Sequence, residues 1–159
     1  MTLAYELALR KPEGASEILA TQEKRLLNED RKKRFRAVAA ALNPDVSQRD
    51  KYFETLKTPA NRRPERWVLE GLHYLHHPLR AAESEKYLLP SLELLEEIQR
   101  TGDIFFPKRW LVATFSGHRS PSAARLVNRF LAKRPDYPDR LKNKILQAAD
   151  LLFKASARQ

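Results

Sequence analysis

The chain has 159 residues, long enough for one domain with a real core, and 42% of them are hydrophobic, which excludes a disordered chain. Its formal net charge is +10 and its pI is near 10; it holds no cysteine, which excludes disulfides and thiolate metal sites. No apolar run approaches the roughly 18 residues of a membrane span, and four glycines with little strand-type alternation favour an all-helical chain.

Residues 3–10 read as a short helical segment, ended by Lys11-Pro12-Glu13-Gly14. Ser16 to Asn28 reads as a helix with Ile18, Leu19, Leu26 and Leu27 inward. Arg31 to Leu42 follows, with Phe35, Val38, Ala39 and Leu42 at helical spacing, and stops at Asn43-Pro44. Ser47 then reads as an N-cap, with Asp50 in a weak capping-box position, before a helix that buries Tyr52, Phe53 and Leu56. Pro64 opens the next helix, where a missing N–H costs nothing, and Glu65 suits its positive end. Val68, Leu72 and Leu75 form one stripe of it. Gly71 disfavours a helix, so its expected use is close approach by a neighbouring helix. The run stops at His77-Pro78, because the residue before a proline leaves the α region.

Ala81 to Arg100 reads as one helix with Leu88, Leu92 and Leu95 inward and a kink or late start at Pro90. Thr101-Gly102 reads as a glycine cap. Pro107 to Phe115 carries Trp110, Leu111 and Phe115; Ser120-Pro121 caps and starts another helix, lined by Leu126, Val127, Phe130 and Leu131. Pro138 to Ala155 is the last, with Leu141, Ile145, Ala148, Ala149 and Leu152 inward. Short connections make neighbours antiparallel. The expected architecture is therefore one domain, residues 1–159, all-α. It is an irregular right-handed HEAT/ARM-like stack of helical hairpins, an α-α superhelix, of about seven or eight helices.

Four constellations invite a chemical reading. His73 and His77 are spaced i, i+4, with Glu70 one turn earlier and His76 between, so a shared metal is conceivable. HxxxH without an intervening glutamate is not the zincin arrangement, and capping of the helix end by these imidazoles is the favoured use. Ser116, His118 and Asp103 supply the pieces of a triad, but no GxSxG elbow or glycine-rich oxyanion loop places them. Glu93, Glu96 and Glu97, with Arg100, read as a solvated, salt-bridged helix face. Basic groups recur at Lys24-Arg25, Arg31 to Arg36, Arg62-Arg63-Arg66, Lys108-Arg109 and Lys133-Arg134, with Arg140, Lys142 and Lys144. They are interleaved with acids, as in Glu29-Asp30-Arg31-Lys32, and no helix-turn-helix, RNA-recognition or zinc-finger signature accompanies them, so nucleic acid is not the expected partner.

Three stretches also carry a resemblance: NRRPERWVLEGLHYLHHPLR (Asn61 to Arg80), SEKYLLPSLELLEEIQRTGDIFFPKRW (Ser84 to Trp110) and YPDRLKNKILQAADLLF (Tyr137 to Phe153). Together they resemble the C-terminal helical domain of the aminopeptidase N-type zinc aminopeptidases, the gluzincins of peptidase family M1. The likeness is clearest from Arg34 to Phe153. Neither HExxH nor the GxMEN signature of the catalytic part occurs, so the resemblance implies a piece of a larger enzyme with no catalytic or metal-ligating residue of its own. It implies zinc in the parent enzyme, the catalytic domain of the same polypeptide as partner, and a peptide substrate whose entry the helices limit. Lys108 and Arg109, after the Phe105-Phe106-Pro107 turn, are the candidate contacts to the carboxylate end of that peptide. The alternatives are a free-standing basic module that binds nucleic acid and a HEAT-like scaffold that docks protein. The residues leave the compartment open, cytoplasmic or periplasmic.

Overall fold

Three helices begin where a short polar side chain takes up a free backbone N–H group. Asn28 Oδ1 accepts from Arg31 N at 2.9 Å, Asp45 Oδ1 from Ser47 N at 2.8 Å, and Ser120 Oγ from Ala123 N at 3.1 Å. In a computed structural model, which describes residues 1–157, the chain is all-α, with no strand among those residues. It forms two compact units, Met1–Leu75 and His76–Gln159. The first contains α1 (Thr2–Arg10), α2 (Ala15–Lys24), α3 (Glu29–Ala40), α4 (Val46–Thr55) and α5 (Glu65–Leu75). The second contains α6 (Ala81–Ser84), α7 (Leu88–Glu93), α8 (Leu95–Thr101), α9 (Phe106–Phe115), α10 (Pro121–Ala132) and α11 (Asp139–Ser156).

The first unit is built on aromatic rings. Tyr5 of α1 stacks on Phe35 of α3 at 5.0 Å between centroids and meets Tyr74 of α5 edge-on at 5.3 Å. Leu9, Val38 and Leu42 complete the cluster; each such side chain contributes about 1.5–3 kcal/mol by leaving water. The Tyr5 hydroxyl donates to Phe35 O at 3.3 Å, and burial pushes its ionisation well above the ordinary 10. Gly71 has the expected use. A Cβ there would strike the Tyr52 hydroxyl of α4 and lie 3.0 Å from Cζ of that ring. Arg49 and Arg62 are both 3% exposed and satisfy backbone carbonyls: Arg49 Nη1 donates to Asn43 O and Pro44 O in the loop before α4, and Arg62 Nη1 to Leu56 O at the end of α4. Arg62 is thus not part of a surface basic patch.

Several boundaries shift from expectation. Asp45, not Ser47, caps α4, because an aspartate one residue before the helix binds both the Ser47 N–H and its hydroxyl. Leu27 is 93% exposed, since α2 ends at Lys24 and the chain turns before it. The expected Ala81 to Arg100 helix is instead α6, a 3-10 turn, α7 and α8. Pro90 lies in the first turn of α7, the late start, and that division raises the helix count above seven or eight. Gly102 ends α8 at φ −97° and ψ 174°, extended backbone open to any residue, so its conformational freedom is unused.

In the second unit, α9 and α11 pack along each other, and α10 packs on α11 and α7. Trp110 of α9 is fully buried, and its indole N–H donates to Ser91 O of α7 at 3.2 Å. Leu141, Ile145, Ala149 and Leu152 face inward from α11, as their spacing predicts. Val127 and Phe130 of α10 are buried, whereas Leu126 and Leu131 are only half-buried.

Candidate functional site

The polar centre of the second unit is a histidine pair. His77, before Pro78, is extended at φ −61° and ψ 144°, and its Nδ1 accepts from Leu79 N at 3.2 Å, capping the next turn. His76, one residue earlier, is fully buried. On the other side, Ser116-Gly117 connects α9 to α10. A Cβ on Gly117 would overlap His76 O and lie 2.9 Å from the carbonyl carbons of His76 and His77. The bare glycine therefore lets the turn lie on the His76–His77 peptide, and this approach delivers His118 beside His76. Nδ1 of His76 and Nε2 of His118 are 2.9 Å apart, and Tyr87 meets the His76 ring edge-on at 6.1 Å.

A 2.9 Å contact between two imidazole nitrogens needs one donor and one acceptor, which two neutral rings provide. Burial and the neighbouring His118 hold His76 well below the ordinary 6.5. Burial brings His118 down to about 4, against the upward pull of Glu85 and with the downward push of Arg119. His76 Nε2 and His118 Nδ1 have no hydrogen-bond partner, and an unpaired buried polar atom costs about 1–3 kcal/mol. Glu85 accepts from the hydroxyls of Ser120 at 2.8 Å and Ser122 at 2.9 Å, so its charge helps to hold the start of α10. The arrangement fastens a turn.

The other candidates are dispersed. His73 is exposed on α5, beside Tyr74 at 5.8 Å, and Glu70 receives Arg34 at 2.6 Å and 3.0 Å. Among the described residues no three His, Asp or Glu side chains are grouped to hold a metal ion. Ser116 Oγ donates to Ala113 O, Asp103 Oδ1 accepts from Phe105 N, and His118 faces His76, so the three are not brought together. Glu93 faces Arg134 at 3.8 Å, and Lys144 Nζ donates to Gln99 Oε1 at 2.6 Å. Lys108 and Arg109 are exposed in the first turn of α9, next to Ile104 and Phe105, which are 70% and 61% exposed. The Arg109 guanidinium stands 5.6 Å from the Phe105 ring.

In the sequence His73, His76 and His77 stand as one cluster, which conceals the pair. His76 continues the buried stripe Val68, Leu72 at four-residue steps, and that period separates it from His73. No family model, curated protein or solved structure matches the chain.

Proposed function

We propose that this chain is the C-terminal helical domain of an aminopeptidase N-type (family M1) zinc aminopeptidase, packing over the catalytic domain and limiting which peptides reach it. The observation that carries the reading is the exposed turn before α9. Two apolar side chains, Ile104 and Phe105, stand in solvent there beside Lys108 and Arg109. Cations in a helix's first turn oppose its dipole by about 0.3–1 kcal/mol each, so the placement suits an anionic contact better than the helix itself. The segments that carry the resemblance also spend their buried groups on packing, as with Trp110 on Ser91 and His76 on His118. In this reading zinc and the hydrolytic groups belong to the catalytic part, and Lys108 and Arg109 receive the carboxylate of long peptides.

The test is the native polypeptide that contains this sequence. Isolated with an antibody to this chain, it is expected to exceed 18.5 kDa, to contain zinc and to release N-terminal residues from peptides. A native polypeptide of that mass without peptidase activity overturns the proposal. In the full enzyme, Lys108→Ala with Arg109→Ala is expected to raise KM for long peptides about tenfold, equivalent to one lost ion pair, and to spare short ones. An unchanged length preference removes the role of these two residues only.

A further inference from the structure

From Ile104 to Pro135 the chain has no Asp or Glu, and α10 gathers cations of that stretch on one side. Arg125, Arg129 and Lys133 recur at every fourth position and so share a face. With Leu89 and Glu93 of α7 and Arg134 they line a groove of about 510 Å³, whose open apolar surface is Leu89 and Leu126, Phe130 lying buried beneath. One carboxylate, Glu93, lies in the groove wall and faces Arg134 at 3.8 Å; the other nearby, Glu85, holds Ser120 and Ser122. Among the described residues none pairs with Arg125, Arg129 or Lys133. Like charges one helical turn apart repel, a cost that an incoming anion reverses.

The chemistry narrows the anion. Phe130 has Arg134 over its face at 4.0 Å and Tyr137 against it at 5.4 Å, so it offers no open platform for a nucleobase. A second copy would bring another +10 of charge and add repulsion. The apolar surface is recessed between cations, whereas a lipid-binding helix needs a protruding apolar face. We propose that the α7–α10 groove binds an acidic segment of a partner protein. Its carboxylates pair with Arg125, Arg129 and Lys133, and an apolar side chain between them rests on Leu89 and Leu126. This assignment does not depend on the peptidase reading.

The test is fluorescence anisotropy on the purified chain with a labelled peptide of glutamates around one leucine. Saturable binding is expected, with loss when glutamine replaces glutamate. Arg125→Glu with Arg129→Glu is expected to weaken it about tenfold or more. Arg31→Glu with Lys33→Glu, the same charge change at exposed positions of α3, leaves it within about twofold. Independently, amide NMR shifts of the unaltered chain are expected to move at Leu89 and from Arg125 to Arg134. Absence of saturable binding, equal weakening by both double variants, or tighter binding of a single-stranded oligonucleotide or phosphatidylserine vesicle through Arg125 and Arg129 overturns the proposal.

Discussion

In Met1–Leu75 the space left by a glycine is filled by the tip of a tyrosine; in His76–Gln159 it is filled by backbone. Gly71 faces the Tyr52 hydroxyl, and Gly117 faces the His76 carbonyl. The tip of a tyrosine can swing aside by rotation about its side-chain bonds. A carbonyl between a buried histidine and the start of a turn cannot move without carrying both along. The buried polar groups differ in the same way. The phenol of Tyr5 is neutral across ordinary pH whether the chain is folded or not, whereas burial keeps the His76–His118 pair neutral at pH values where a free imidazole is protonated, so acid works against its fold. Close packing in the first unit is thus adjustable and indifferent to pH, and in the second it is neither.

The sharpest way to break this comparison is Gly117→Ala. It is expected to destabilise the second unit by about 4 kcal/mol or more, in the range reserved for overlaps that backbone cannot relieve. Amide hydrogen exchange read separately for the two units checks it, and equal loss of protection in both would contradict the contrast. Acid comes next. Unfolded, each imidazole protonates near 6.5; folded, burial holds His118 at about 4 and His76 well below its ordinary value. The unfolded chain therefore binds more protons between those values, so the stability is full above pH 6.5 and is lost as pH falls. From His118 alone about 2 kcal/mol is expected to be gone by pH 5, at about 1.4 kcal/mol per unit below 6.5, and His76 acts in the same direction. Exchange at amides of α9 and α10 is expected to accelerate before that at α3 and α5.

Gly71→Ala is smaller, about 1–2 kcal/mol, since alanine recovers about 1 kcal/mol of helix propensity. Adding Tyr52→Phe removes the struck hydroxyl and is expected to restore at least half of the loss, read as coupling in a double-mutant cycle. No single side-chain partner change rescues Gly117→Ala in the same way. Ser120→Ala is the smallest, about 1 kcal/mol, because it removes the cap of α10 while Ser122 still donates to Glu85. Thermal melts of the two variants order these last effects.

Much of the fold was legible because its signals are local. Ser120-Pro121, the stop at His77-Pro78 and the inward stripe of α11 each act within one or two turns, and all stand where the residues place them. The close approach at Gly71 was legible too, since a poor helix residue inside an apolar stripe needs a packing reason. Errors arose where two local signals competed, as with Asp45 over Ser47 for one helix start, or where a run of helix formers concealed breaks, as around Pro90 and Leu94. The candidate site was less legible. Lys108 and Arg109 are exposed but lie within the first turn of α9, since Phe106 and Pro107 are already helical and buried rather than part of a turn; Arg125 and Arg129 carry no signal in the sequence, because single arginines four apart look like any solvated face. Only the groove floor and the scarcity of facing carboxylates set them apart.

By itself the amino-acid order determined that this protein is helical, where most helices start and stop, and which faces turn inward, since caps, prolines and period-3.6 stripes are properties of neighbours along the chain. The tertiary structure alone decided that His76 meets His118, 42 positions further along the chain, and that Arg62 is buried rather than displayed. Such meetings depend on how closely two backbones approach, and here that distance is set by one missing Cβ at Gly117.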